Sequence, residues 1–203
     1  MLAAVFFWPD PPDPLEVEAA FPASVVAPRA PVPAGSEDRD QRSRNIVDAV
    51  DTMWRRIFRD AGARYERPKV GFFSGSDEKI CGAETDRDDL AGLYCPSDRK
   101  IWLSRRAQAE LNDLDWQYVV AHEVGHHVQK LRDTVGDLEP YRVAHELQAD
   151  CYAGVWAAAV GAPEPSTALY TVDDGTHGTP GQQQDWLRRG RSTRRPGACA
   201  SRG

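Results

Sequence analysis

Asp115-Trp116-Gln117-Tyr118-Val119-Val120-Ala121-His122-Glu123-Val124-Gly125-His126-His127-Val128 carries two patterns at once. Apolar residues at 116, 119, 120, 124, 128 and 131 repeat with the period of a helix that buries one stripe. Asp115 stands at its start as N-cap or first-turn acid. Inside the stripe sits His122-Glu123-Val124-Gly125-His126, an H-E-x-x-H motif. At 3.6 residues per turn, its two histidines lie about 40° apart on one face, one turn from each other. Imidazoles so placed both reach one tetrahedral Zn²⁺ at about 2.0–2.1 Å. Glu123, on the flank of that face, can reach an attacking water without ligating, as a general base must. The alternative is a solvated helix face that happens to carry two histidines. It fits poorly with a packed helix, where unpaired polar groups are costly.

A catalytic zinc takes three protein ligands and keeps one open position. The extended pattern with Gly and His after the second histidine is absent, since Gln129 and Arg132 occupy those places. Glu146 is the preferred third ligand. It opens Glu146-Leu147-Gln148-Ala149-Asp150 on a second helical stretch, roughly 140–160. Glu146 and Asp150 share a face by the i, i+4 rule. Asp150 is therefore the candidate to accept the free N–H of a ligand imidazole. His145 remains a rival for the third position, giving a three-histidine site, and Cys151 or Cys95 would give a two-histidine, one-cysteine site. His127 points about 100° away from His126 and cannot join.

These residues suit hydrolysis in which zinc acidifies a water and polarises a carbonyl while Glu123 moves the proton. A donor near the developing oxyanion would help. His177, in the Gly-flanked segment Asp173-Asp174-Gly175-Thr176-His177-Gly178-Thr179, is the candidate, with Asp173 and Asp174 placed to orient it. A loop histidine with no duty is the alternative.

The chain resembles the bacterial neutral zinc metallopeptidase family. The resemblance rests on Tyr94-Cys95-Pro96-Ser97-Asp98, on Ala121 to Gln129, on Glu146 to Trp156, and on Thr176-His177-Gly178-Thr179-Pro180-Gly181-Gln182-Gln183-Gln184. It covers roughly residues 40–200. It implies a zincin-like fold with His122, His126 and Glu146 on one zinc ion and Glu123 catalytic. Gln182-Gln183-Gln184 stand where the family more usually has an arginine.

A net charge of −6 argues against nucleic acid as the main partner. Arg188, Arg189, Arg191, Arg194, Arg195 and Arg202 crowd the C-terminus and read as a solvated tail. Four cysteines allow three pairings. Cys81 with Cys95 would close a Gly- and Asp-rich loop, and Cys151 with Cys199 would tie down the tail. Two bridges would fit an extracytoplasmic protein, secreted or membrane-anchored; four reduced thiols would fit the cytosol. Met1–Trp8 is apolar but too short to span a bilayer, and it lacks the basic start of a signal peptide. Membrane association would need an N-terminal anchor missing from, or atypical in, this chain. Residues 1–40, rich in proline from Pro9 to Pro33, read as a disordered linker, and 41–200 as one metallopeptidase domain.

Within that domain, Gln41–Gly62 predicts a core helix and Lys69–Ser74 and Lys100–Leu103 predict strands. The second strand precedes the metal helix, where an edge strand can bind extended peptide by β-augmentation. Helices are expected near 115–132, 140–160 and 181–190, with a loop at Gly136. The reading is an α+β, mostly helical, zincin-like domain with a small sheet that hydrolyses peptide bonds in a peptide or protein substrate. An inactive metal-binding interaction module and a zinc amidase on a non-peptide amide are the alternatives.

Overall fold

The computed structural model describes residues 36–75, 79–81, 83–84, 90–132, 143–170 and 175–200. The expected linker up to residue 35, the loop at Gly136 and the pair Asp173 and Asp174 lie outside these residues.

The first helix, α1, spans Ser36–Asp60 and starts five residues before the sequence reading had it. Pro33 is the last proline ahead of it, and nothing from Ser36 onward breaks a helix. Its apolar stripe, Val47, Val50, Trp54, Ile57 and Phe58, is buried to 2 % exposure or less. The chain then turns and enters β1, Lys69–Phe73. A short hairpin, β2 (Lys79–Ile80) with β3 (Ala83–Glu84), precedes β4 (Gly92–Cys95) and β5 (Lys100–Ser104). The three-stranded sheet runs β1-β5-β4, with β1 parallel and β4 antiparallel to β5. The strand expected near 100–103 therefore has partners on both sides, and the edge beside the metal helix is β4. A four-residue strand with one aliphatic side chain carries too weak a signal to be read in advance.

Helix α2 (Arg105–Glu110) follows directly from β5, capped by Ser104, whose hydroxyl accepts from Ala107 N–H. The central helix, α3, spans Asp113–Leu131. Its N-cap is Asn112, whose side-chain oxygen accepts from the N–H groups of Leu114 and Asp115 at 3.0 Å. Asp115 is thus a first-turn acid and not the cap. Its carboxylate accepts from Asn112 and from the N–H and hydroxyl of Ser166. Trp116 donates from Nε1 to Ser43 Oγ at 3.0 Å, which docks α3 on α1.

Helix α4, Val143–Val160, is buried on nearly every side from Glu146 to Ala157. Its run of Ala, Val, Leu, Tyr and Trp suits a helix enclosed all round. Helix α3 flanks it on one side and α5, Pro180–Thr193, on the other. The α4–α5 crossing is close because Gly154 and Gly190 sit at it. A Cβ on Gly190 would overlap the Cys151 carbonyl, and one on Gly154 the Leu187 carbonyl.

Both expected disulfides are formed. Cys81–Cys95 ties the hairpin to β4, and Cys151–Cys199 fastens the last turn, Pro196–Cys199, to α4. No helix among the described residues is long and apolar enough to cross a membrane. The architecture is α+β, mostly helical, with a small sheet.

Candidate metal centre

Helices α3 and α4 meet where α3 has Gly125. A Cβ there would come within 3.1 Å of the Ala149 Cα and carbonyl, so the residue just before His126 sets how close α4 can lie. That approach brings the Glu146 carboxylate onto the histidine face. Glu146 Oε2 lies 3.1 Å from His122 Nε2 and 3.1 Å from His126 Nε2, and the two nitrogens are 3.0 Å apart. A tetrahedron with bonds of about 2.0–2.1 Å has edges of about 3.3–3.4 Å, so the three atoms nearly trace one face of it.

The remaining ring atoms are also occupied. His122 Nδ1 meets Asp150 Oδ1 at 2.9 Å, and His126 Nδ1 meets Gln129 Oε1 at 2.9 Å. With Nδ1 donating in each case, both Nε2 atoms turn a lone pair toward the other and toward a carboxylate. Such a trio is repulsive unless a cation stands between its members. The electrostatics carry the same mark. Burial works against charged imidazoles, but the Asp150 and Glu146 carboxylates outweigh it and hold His122 well above the ordinary histidine value. His126 is raised as well, against burial, by Glu146. Glu146 is driven down by both histidines in spite of burial. The cluster draws positive charge to itself, and its donor set of two imidazoles and a carboxylate fits zinc.

Glu123 sits beside this cluster, buried to 6 % exposure. Burial raises its carboxyl above the usual carboxylate range, with the neighbouring histidines pulling the other way. Its Oε2 is buried without a hydrogen-bond partner among the described residues. A buried carboxylate oxygen left unpaired is costly, and such groups concentrate at functional sites.

His177 completes the wall. Its Nε2 lies 3.3 Å from Glu146 Oε2, and its Nδ1 is 2.7 Å from Thr176 Oγ1. His122, Glu146 and His177 offer ligand atoms all within 4.8 Å of one another. The loop is held by the start of α5. Thr179 caps that helix in a reciprocal capping box with Gln182, and Gln183 donates to the Gly178 carbonyl. Gln182 and Gln183 therefore build the seat of His177.

The rivals fall elsewhere. His127 is fully buried on another face of α3, between Tyr94 and the Glu66 carbonyl, and burial lowers its pKa to about 4. Cys151 and Cys95 are both in disulfides. His145 contributes its backbone carbonyl, which accepts from Gln129 Nε2 at 2.8 Å, and the neighbouring Glu146 faces the cluster. The sequence reading missed Gln129 as a partner of His126, although an amide three residues on in an apolar stripe was a visible signal. It also missed Gly92 of β4, which packs on Glu123.

The family model for "Putative neutral zinc metallopeptidase" matches residues 2–174. The chain belongs to this family. That match includes H-E-x-x-H and Glu146 and stops three residues before His177. Among curated proteins, "Uncharacterized protein YpfJ" of Escherichia coli K12 is 28% identical over 197 residues, covering 76% of this chain and 68% of its own. "Uncharacterized protein Rv2575" of Mycobacterium tuberculosis H37Rv is 28% identical over 201 residues, covering 75% and 67%. "Uncharacterized protein Mb2605" of Mycobacterium bovis matches to the same extent. No solved structure matches the chain.

Proposed function

We propose that this protein is a zinc-dependent endopeptidase, with His122, His126 and Glu146 holding the ion and Glu123 as general base and acid. The observation that carries the reading is the 3.0–3.1 Å triangle of two Nε2 atoms and one carboxylate oxygen beside Glu123, whose buried Oε2 has no hydrogen-bond partner among the described residues. A bound zinc supplies Lewis acidity, making a water more acidic and polarising a carbonyl.

The chain's own residues do the rest. Asp150 and Gln129 hold the two imidazoles by Nδ1 so that Nε2 faces inward. Glu123 takes the proton of the attacking water at Oε2 and hands it to the leaving amine. Its raised affinity for protons matches a group that must both accept and release one near neutral pH. His177, half-exposed at the rim, donates from Nε2 to the oxygen that gains charge. Strand β4 is the end strand of the sheet next to Glu123, and its outer backbone N–H and C=O groups are where an extended peptide would pair. The paired cysteines favour work outside the cytoplasm.

Elemental analysis and a broad peptide library test this. Wild type should carry one zinc and cleave; Glu123→Gln should keep the zinc and lose cleavage; His126→Ala should lose the stoichiometric zinc. A protein that binds zinc while wild type and Glu123→Gln are equally inert is an interaction module, and one that cleaves only small amides is an amidase.

A further inference from the structure

A line of buried hydrogen bonds leads from His126 to the far end of the chain. His126 Nδ1 meets Gln129 Oε1 at 2.9 Å. Gln129 Nε2 donates to Gln148 Oε1 at 2.9 Å and to the His145 carbonyl at 2.8 Å. Gln148 Nε2 donates to the Cys199 carbonyl at 3.0 Å. Gln129 and Gln148 are exposed by 1 % and 6 %, and Cys199 not at all.

We propose that Gln129 and Gln148 are positioning residues that fix the tautomer of His126, with the Cys199 backbone carbonyl as the fixed end of the relay. The inference rests on the metal reading above and concerns how this chain prepares one ligand for it.

The polarity of the line follows from chemistry. A backbone carbonyl only accepts. The Cys199 carbonyl therefore demands the NH₂ end of Gln148, which leaves Gln148 Oε1 facing Gln129. The His145 carbonyl demands the NH₂ end of Gln129 independently. Both constraints turn Gln129 Oε1 toward His126, and an amide oxygen also only accepts. His126 Nδ1 must then carry the hydrogen, and Nε2 keeps the lone pair that faces Glu146 and His122. Reversing Gln129 would set its amide oxygen against the His145 carbonyl and Gln148 Oε1, and reversing Gln148 would set its amide oxygen against the Cys199 carbonyl and its NH₂ against that of Gln129.

The fixed end is itself secured. Cys199 is bonded to Cys151, three residues beyond Gln148 on the same helix, so tail and relay share one anchor. The two imidazoles are thus oriented by different means. His122 has a carboxylate, Asp150, and His126 has a neutral amide backed by a second amide. Two glutamines that merely satisfied each other would need no fixed direction.

The test compares the full chain with Gln129→Met, Gln148→Met and Gln148→Glu. Methionine matches glutamine in length and flexibility, so a packing role survives it and a directional one does not. Two readouts are taken: zinc affinity by competition with a chelator, and ¹⁵N spectra of histidine-labelled, metal-free protein at alkaline pH, where the His126 tautomer is read directly. Gln129→Met should weaken zinc about 10- to 100-fold, the usual cost of losing such a partner, and should mix the His126 tautomers. Gln148→Met should do the same to a smaller extent. Gln148→Glu, which keeps an acceptor toward Gln129 but sets an oxygen against the Cys199 carbonyl, loses the fixed end of the relay and should weaken zinc at least as much as Gln148→Met. If Gln129→Met fails to fold, the two Gln148 variants decide. An unmixed His126 tautomer in the methionine variants, with zinc affinity within about twofold of wild type, overturns the proposal. Should wild type bind no zinc at all, the functional reading fails, and the spectra of the metal-free proteins still decide the relay.

Discussion

Gly92 lies flush against Glu123. A Cβ on Gly92 would fall 2.7 Å from Glu123 Oε1 and 2.9 Å from its Cγ. The edge strand thus has a bare backbone where the proposed general base needs room. Gly92→Ala should push the carboxyl off its position while leaving the three proposed ligands alone. Displacement by about 1 Å can cost about 10²-fold in rate, so kcat should fall steeply with zinc content unchanged. Parallel measurement of kcat and bound zinc checks it; wild-type turnover by Gly92→Ala would show that Glu123 is not held there.

His177 is the residue whose role geometry leaves between two chemistries. Its Nε2 is near enough to Glu146 Oε2, at 3.3 Å, to stand at a further corner of the same tetrahedron. Its side chain is 42% exposed, however, against 4% for Glu146. A rim histidine on a loop suits a donor that meets substrate. His177→Ala should therefore keep one equivalent of zinc and lose about 10²- to 10³-fold in kcat. Loss of the zinc instead would make it a ligand.

Gly190 and Gly154 set the distance between α4 and α5. The obstacles are backbone carbonyls, which cannot swing aside as a side chain can. Gly190→Ala should force the helices apart and cost about 1–3 kcal/mol or more. Thermal melts of the variant read that directly, and an unchanged melting temperature would refute the packing argument. Because α5 carries the seat of His177, activity should fall further than stability alone explains.

The Cys151–Cys199 bridge closes a loop of 48 residues. Chain-entropy reasoning gives a stabilisation of about 4 kcal/mol for a loop of that length. Replacing both cysteines with serine should lower stability by that order in denaturant titrations, and reducing agent should lower wild type by more than the variant, which keeps only Cys81–Cys95 to lose. Zinc affinity should fall with it, since the Cys199 carbonyl would lose its anchor.

Asp51 predicts a pH dependence away from the site. Tyr65 donates to its Oδ1 at 2.6 Å and Arg67 to its Oδ2 at 2.9 Å, yet burial dominates and raises its pKa to about 6. A carboxyl whose folded pKa is raised contributes stability that is full below its unfolded pKa, 3.8, and lost as pH climbs through about 6. Between pH 4 and pH 7 this group should cost the fold about 2 kcal/mol. Asp51→Asn removes that slope, so the difference between the two proteins' stabilities should change by that amount across the window. Parallel pH profiles would rule the burial argument out.

Much of this was legible along the chain. H-E-x-x-H fixes two imidazoles on one helix face by the 3.6-residue period alone. The pair Glu146 and Asp150 was readable because i, i+4 spacing puts both on one face of the next helix. The disulfide pairing followed from which loops each pair could close. What misled was strand order: Lys100–Ser104, expected as an edge, pairs on both sides and fills the centre of the sheet. The edge beside α3 went to Gly92–Cys95, four residues with a single aliphatic side chain and hence a weak pattern.

Local periodicity decided the helices and the metal-type donors, because each depends on neighbours within a few turns of chain. Only the folded molecule decided that Gln129, Gln148 and the Cys199 carbonyl line up behind His126, that Gly92 clears Glu123, and that Gly125 lets α4 come close. Those relations join residues distant in sequence, and their direction is set by which atoms can donate and which can only accept once the helices have packed.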